Sequence, residues 1–159
     1  MAVTIRDAAR SDAPLILRFI ADLAEYERLS HEAKATQADL ERELFGPAPK
    51  VFCQIAEWNG APAGFALWFY TFSTFEGRHG IWLEDLFVNP QMRGHGIGKA
   101  LLVDLARRCV REDLRRFEWA VLDWNQPSID FYTRQGATFM DDWRYCRVTG
   151  EALQKLGAP

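Results

Sequence analysis

The feature that most constrains this chain is the stretch RGHGIG at residues 93–98, which follows an apolar run and precedes an amphipathic segment. Glycine adopts backbone conformations that other residues avoid, at a cost in conformational entropy, so this spacing predicts a specialised turn. The apolar run GIWLEDLFVNP (80–90) is typical of a strand. From Ile97 to Cys109, apolar residues recur at helical spacing. The chain is therefore predicted to contain a strand, a glycine loop and a helix in succession.

The spacing of these glycines separates the loop from two common phosphate-binding motifs. A P-loop requires Ser or Thr after Gly-Lys, but Ala100 follows Gly98-Lys99. The dinucleotide pattern G-x-G-x-x-G fails because Lys99 stands where the third glycine belongs. The N–H groups at a helix N-terminus still favour an anion, and Arg93 and Lys99 would add positive charge. The alternative is a flexible connection with no ligand.

Patterns along the rest of the chain predict a mixed sheet flanked by helices. Strands are predicted at 3–9, on both sides of an Asn59-Gly60 hairpin turn within 50–75, and at 80–90, 115–124 and 138–149. Helices are predicted at 11–29, 36–45, 96–111, 127–136 and 150–156. The resulting α/β order is β-α-α-β-β-β-α-β-α-β, followed by the short terminal helix, in a single domain spanning residues 1–159.

Composition narrows the function classes. A net charge of -3 without a Lys/Arg block argues against nucleic acid as a partner. Three cysteines without paired spacing indicate no disulfide framework, and the histidines share no metal-ligand spacing, so no metal is expected. No signal peptide is evident, and no apolar run reaches the roughly 18 residues of a membrane span. We expect a cytoplasmic protein without a membrane partner.

The loop resembles the acetyl-CoA loop of the GCN5-related N-acetyltransferases, whose pattern R/Q-x-x-G-x-G/A is matched by Arg93, Gly96 and Gly98. The resemblance implies that family's mostly antiparallel central sheet, with acetyl-CoA as co-substrate. It also implies that loop N–H groups bind the coenzyme A diphosphate while the preceding strand pairs with the pantetheine arm. The implied cofactor-binding residues are Leu86, Phe87, Val88, Arg93, Gly94, His95, Gly96, Ile97, Gly98, Lys99, Asn125, Pro127, Ser128 and Tyr132.

Two longer stretches, WLEDLFVNPQMRGHGIG (82–98) and VLDWNQPSIDFYTRQGA (121–137), resemble the diamine (spermidine/spermine) and thialysine acetyltransferases. The resemblance runs from about residue 11 to 156 and includes LAEYE (23–27), which is similar to a substrate-contacting segment of that group. It implies acetyl transfer to a primary amine of a small cationic substrate, and a homodimer. Thr74-Phe75 stands where the eukaryotic enzymes have Pro-Trp, and the segment after Gly136 is shorter than theirs, so the identity of the amine substrate is left open.

The chemistry of the reaction points to two side chains. A lysine-like amine, with a pKa near 10.4, must lose a proton before it can attack a thioester. Glu84 on the strand is the predicted general base, directly or through water. Tyr132 carries a phenol that would protonate the leaving thiolate, which is the role the family assigns to such a tyrosine. The alternatives are a solvated strand carboxylate and a packed core tyrosine.

The predicted substrate pocket requires an irregularity in the strand that carries Glu84 and Asp85. Adjacent strand residues point to opposite faces, so Glu84 and Asp85 can serve one pocket only if a β-bulge lies near 84–87. Nearby carboxylates would stabilise a cation, and aromatic rings would add cation–π contacts. The predicted substrate-binding residues are Tyr26, Glu27, Trp82, Glu84, Asp85 and Asp142, with Asp141 as an alternative to Asp142.

Two other functions remain open from the sequence. The acceptor could be a protein N-terminus, a lysine side chain or an aminated antibiotic, which would require an open groove rather than a small acidic pocket. The chain could also be an acetyl-CoA-binding sensor without turnover. The presence of both Glu84 and Tyr132 argues against a sensor, since a site without chemistry needs neither.

Overall fold

The computed structural model describes residues 2–159 and divides into two compact units, Met1–Leu122 and Asp123–Pro159. The first unit contains five strands and three α-helices: β1 (Val3–Asp7), α1 (Ala13–Tyr26), α2 (Gln37–Phe45), β2 (Phe52–Trp58), β3 (Ala61–Ser73), β4 (Arg78–Val88), α3 (Ile97–Arg111) and β5 (Phe117–Glu118). The second contains α4 (Gln126–Arg134) and α5 (Gly150–Leu156).

The sheet of the first unit has the strand order β1-β2-β3-β4-β5. The first four strands pair antiparallel, and β5 pairs parallel with β4. The predicted hairpin between β2 and β3 is confirmed, since Asn59 and Gly60 have φ angles of 51° and 80°. Positive φ at both central residues is the requirement of a type I′ turn, whose twist matches that of the strands. The mixed, mostly antiparallel α/β class is confirmed.

Helices cover the two faces of this sheet. Phe19 of α1 stacks on Phe65 of β3 with ring centroids 5.5 Å apart, within a buried cluster that also includes Leu67 and Phe87. On the other face, the Arg108 guanidinium of α3 lies 5.1 Å from the centroid of the Trp68 ring. Successive strand residues therefore alternate between an α1 face and an α3 face, as the pleat requires.

The predicted β-bulge is confirmed at Glu84. In the β3–β4 ladder Trp68 lies opposite Leu83, whereas the preceding residue Leu67 lies opposite Asp85, so Glu84 is the extra residue. The extra residue reverses the alternation along β4. Leu83 lies on the α3 face, while Asp85 lies on the α1 face, opposite Leu67.

The end of β4 is held on one edge only. β5 pairs with it at Ile81 and Trp82, while β3 continues to pair as far as Val88. Within residues 2–159, the described strand pairing thus gives β4 no second partner after Trp82. The backbone of 86–88 is the edge at which the family resemblance implies pantetheine pairing.

One predicted strand is shorter than expected, and the prediction of another is wrong. The strand expected at 115–124 is reduced to Phe117–Glu118, and residues 138–149 form turns and irregular chain instead of a last strand. Alternating apolar and polar residues in a sequence indicate only on which face of a sheet each side chain would lie. A strand also needs a neighbouring backbone to pair with, and the described part of the chain supplies none to 138–149. The terminal helix over 150–156 is confirmed.

None of the helices in residues 2–159 combines the length and the apolar character that a bilayer crossing requires.

Gly64 provides a test of the β3–β4 contact. A Cβ atom at this position would overlap the carbonyl oxygen of Phe87 and lie 3.1 Å from the Cα of Val88. Because both are backbone atoms, β4 itself would have to move. We expect Gly64→Ala to lower the free energy of unfolding by about 1–3 kcal/mol, measured by urea denaturation. Gly157→Ala is the control, since its nearest contact would be an ordinary 3.5 Å. Equal effects of the two variants would contradict the close approach.

Candidate active site

The glycine loop connects the end of β4 to the start of α3. Gly94 and Gly96 have φ angles of 84° and 77°, in the left-handed region that other L-residues rarely adopt. A Cβ atom on either glycine would meet nothing within 4 Å. Glycine is therefore needed at these two positions because of the backbone conformation, and not because a side chain would clash. The space next to both Cα atoms is open.

The loop ends at the N-terminus of α3. Gly96 is the N-cap residue and has no side chain that could cap the helix. Its carbonyl accepts the first helical hydrogen bond from the Ala100 N–H at 2.9 Å. The N–H groups of the first helical turn thus have no intrahelical acceptor. Together with the positive end of the helix dipole, they make a site suited to an anion such as a diphosphate. Lys99 lies exposed in this turn.

Arg93 makes contacts within the protein at the start of the loop. Its Nε donates a hydrogen bond to the carbonyl oxygen of Val88 at 3.1 Å. Its guanidinium carbon lies 5.0 Å from the centroid of the Tyr26 ring and 6.0 Å from that of Phe87. Arg93 therefore ties the glycine loop to the end of α1. Its predicted contribution of charge to an anion site stays a prediction.

His95 makes a second contact between the loop and the sheet. Its imidazole stacks on the indole of Trp58, with ring centroids 4.6 Å apart and planes inclined by 15°. The family resemblance implies that His95 is a coenzyme-binding residue, but the sequence predicts no contact for its ring. Trp58 was missed altogether, because no local pattern relates the last residue of β2 to a loop far along the chain.

Three predicted substrate residues come together at the bulge. Burial, together with the negative charges of Glu84 and Glu27, raises the pKa of Asp85 to about 7. The pKa of Glu27, which follows α1, is also raised, chiefly by burial and then by Glu84. Charges that shift one another's pKa in this way lie close together. The structure thus assembles an acidic cluster of Glu27, Glu84 and Asp85.

Aromatic side chains border the acidic cluster. The Trp82 Nε1 donates a hydrogen bond to Glu84 Oε2 at 2.9 Å, which orients that carboxylate. Tyr26 precedes Glu27 in the chain and carries the Arg93 guanidinium on its ring. The acidic cluster and the glycine loop are consequently neighbours within the first unit, joined through the Tyr26–Arg93 contact.

The remaining predicted site residues belong to the second unit. Asn125 caps α4, its Oδ1 accepting a hydrogen bond from the Ser128 N–H at 3.4 Å, and Pro127 stands in the first turn. Tyr132 is half-buried on α4, next to the Phe131 ring at 5.4 Å. Asp142 is exposed in a turn. Their roles toward coenzyme and substrate stay predictions.

No group of three His, Cys, Asp or Glu side chains in residues 2–159 is arranged to hold a metal ion.

Comparison with known proteins places this geometry in a family. The acetyltransferase (GNAT) family model matches residues 16–137. Thialysine N-epsilon-acetyltransferase of Sus scrofa is 37% identical over 166 residues, which cover 98% of this chain and 97% of that protein. L-ornithine N5-acetyltransferase NATA1 of Arabidopsis thaliana is 30% identical, covering 96% of this chain and 86% of that protein.

A solved structure shares the fold over the whole length of the chain. The integron cassette protein VCH_CASS6 from the mobile metagenome of V. cholerae superimposes with a TM-score of 0.83 and 25% identity, over 100% of this chain and 99% of that chain. Because the family model matches residues 16–137 and the similarity to thialysine acetyltransferases extends over nearly the whole chain, the chain belongs to the acetyltransferase (GNAT) family, in the branch that contains those enzymes.

Proposed function

We propose that this protein transfers an acetyl group from acetyl-CoA to a primary amine of a small cationic substrate. The substrate class is a diamine or polyamine, or a lysine analogue such as thialysine. The observation that carries the proposal is the acidic cluster of Glu27, Glu84 and Asp85 beside the glycine loop. Three carboxylates at one place repel one another, and a cation bound among them removes that cost.

The names of the relatives support the same substrate class. Thialysine and ornithine, the substrates named for two of them, each carry a terminal amine on a short chain. A second charged group on such a substrate would be held by carboxylates that do not take part in proton transfer. We assign this holding role to Glu27 and Asp85, with Tyr26 and Trp82 beside the cation and Asp142 as a further contact.

The donor side is proposed to bind acetyl-CoA, which supplies the acetyl thioester. The open N–H groups of Gly94 to Lys99 suit its diphosphate, and the free edge of β4 at Leu86, Phe87 and Val88 suits its amide-bearing arm. Arg93 and Lys99 would add positive charge. Family resemblance adds contacts from the segment Asn125, Pro127, Ser128 and Tyr132.

Two side chains are proposed to move protons. Glu84, oriented by the Trp82 N–H, accepts the proton of the substrate ammonium, directly or through water. The free amine then attacks the thioester carbon, forming the amide bond and breaking the carbon–sulfur bond. Tyr132 donates a proton to the departing sulfur. The amine nitrogen loses its second proton as the amide forms, and that proton restores the Tyr132 phenol, directly or through water. Glu84 returns its proton to solvent, so charge is conserved overall and no covalent intermediate with the protein is required.

We also propose a cytoplasmic homodimer in which residues 1–159 act as one acetyltransferase domain. The family match runs through residues 16–137 and so spans parts of both compact units. The irregular segment 138–149 exposes several apolar side chains that a partner subunit would cover, namely Phe139, Met140, Trp143, Tyr145 and Val148.

Free-thiol release from acetyl-CoA tests the proposed reaction. The amine panel contains spermidine, putrescine, lysine, thialysine, ornithine and an N-terminal peptide. We expect fast turnover with a small diamine or lysine analogue, and a loss of about 10²–10⁴-fold in kcat for Glu84→Gln. Glu76→Gln, at the β3–β4 turn, is the matched control and should retain full activity. Turnover only with the peptide would contradict the small-amine proposal, and equal activity of the two variants would remove Glu84 from catalysis.

The raised pKa of Asp85 predicts a pH dependence of cation binding. Asp85 ionises near pH 4 in the unfolded chain but near pH 7 in the folded protein, so the folded state binds more protons between these values. Its stability contribution therefore falls as the pH rises from about 4 to 7. We expect putrescine or thialysine to raise Tm more at pH 8 than at pH 5.5.

Substitutions of single aspartates provide the control for this prediction. Asp85→Asn should raise the Tm of the ligand-free protein at pH 8 and reduce the difference between the two pH values. Asp22→Asn, an exposed position on α1, should change neither quantity. Equal ligand-induced shifts of the wild type at both pH values would show that Asp85 is not coupled to the cation.

Light scattering tests the proposed dimer. We expect a mass about twice the 18.3 kDa of one chain. Replacing Met140 and Trp143 together by serine should shift the protein to monomer, because both side chains lie mostly exposed in the segment 138–149. Phe75→Ser is the control, since Phe75 is 89% exposed at the β3–β4 turn, away from that segment in sequence. A monomeric wild type at high concentration would refute the dimer.

A further inference from the structure

We propose that Trp58 is a positioning residue for the coenzyme: by stacking on His95 it holds the glycine loop in the conformation that presents its N–H groups to the diphosphate. The inference rests on the proposed use of acetyl-CoA by this loop. It assigns a role to a residue that lies outside the glycine loop and outside the acidic cluster.

The position of Trp58 is fixed by the sheet. It is the last residue of β2, where it lies opposite Val3 of β1 and opposite Ala61 of β3. The type I′ turn at Asn59-Gly60 follows at once, so the chain reverses at a defined place. Because the backbone of Trp58 is paired on both sides and leads into a tight turn, its ring has a fixed point of attachment and can support another side chain.

The loop, by contrast, has little to fix it from within. His95 lies between Gly94 and Gly96, which both have positive φ and have open space where a side chain would be. Glycines lose more conformational freedom on ordering than other residues, so such a segment samples many conformations unless something restrains it. The His95 ring, lying nearly parallel to Trp58 at 4.6 Å, supplies that restraint.

Two side chains of the loop attach it to the rest of the first unit at different points. Arg93 attaches its beginning to Val88 and Tyr26, and His95 attaches its middle to Trp58. With both side chains in contact with the protein, the backbone between them faces the open space. Restraining a loop in its binding conformation before the ligand arrives strengthens binding, because less freedom is lost on association.

This role predicts an effect confined to donors that carry a diphosphate. Acetyl-CoA has one, whereas S-acetylpantetheine keeps the thioester arm and lacks it. Loss of the stack should therefore lower the ratio of kcat/KM for acetyl-CoA to that for S-acetylpantetheine. From the usual strength of an aromatic pair, we expect this ratio to fall by about 3- to 10-fold in Trp58→Leu, mainly through KM for acetyl-CoA.

Matched variants separate positioning from general structural damage. Trp58→Phe keeps an aromatic ring and should restore most of the ratio. His95→Ala should lower the ratio as Trp58→Leu does, and the double variant should be no worse than either alone. Calorimetric titration with CoA should show the same loss in affinity, without dependence on turnover.

The outcomes distinguish this inference from the function beneath it. A wild type that neither binds CoA nor uses acetyl-CoA would refute the proposed function and this inference together. A wild type that uses acetyl-CoA, with an unchanged donor ratio in Trp58→Leu, would overturn the inference alone. Equal losses with both donors, not restored by Trp58→Phe, would also overturn it, since they indicate a structural role.

Discussion

The rest of the site depends on the antiparallel pairing of β3 with β4, which is regular except for one extra residue, Glu84. If Glu84 were a paired residue of a regular strand, Leu83 and Asp85 would be two positions apart and would face the same side of the sheet. Because Glu84 is instead the extra residue of a bulge, they face opposite sides. With it, Asp85 turns to the side covered by α1, where Glu27 follows the helix. The acidic cluster thus depends on the backbone register of β4. The carboxylate of Asp85 can contribute to it only because the bulge turns this residue to the α1 face.

The glycine loop beside it is organised in a complementary way. Its backbone faces open space, while the side chains of Arg93 and His95 contact aromatic rings on two different elements, Tyr26 at the end of α1 and Trp58 at the end of β2. One of these rings belongs to the segment that borders the acidic cluster. The proposed anion site of the loop and the proposed cation site of the acidic cluster therefore meet at Tyr26.

Much of this architecture could be predicted from local sequence, because the signals concerned are themselves local. Asn59-Gly60 specifies its turn through the φ angles it tolerates, and Thr36 caps α2 through its side chain and Asp39. The bulge could be deduced because two carboxylates expected in one pocket conflict with the pleat. The stack of His95 on Trp58 could not, since it joins residues that only the folded sheet brings together. The absent last strand has the same origin, because strand formation depends on a partner backbone.

The bulge also sets which genetic changes this protein can accept. Exchanging Glu84 for another amino acid alters one charge and leaves the chain length, and with it the register of Asp85 and Phe87, as it was. Deleting Glu84 would leave Leu83 opposite Trp68 and Asp85 opposite Leu67 in a regular ladder, so Phe87 would keep its place in the buried cluster and the Glu84 carboxylate would be lost. Deleting a paired residue such as Leu86 would instead shift the register and turn Phe87 away from that cluster. Both substitution and deletion at Glu84 therefore leave the register of β4 intact, whereas deletion of a paired residue of this strand threatens the fold itself.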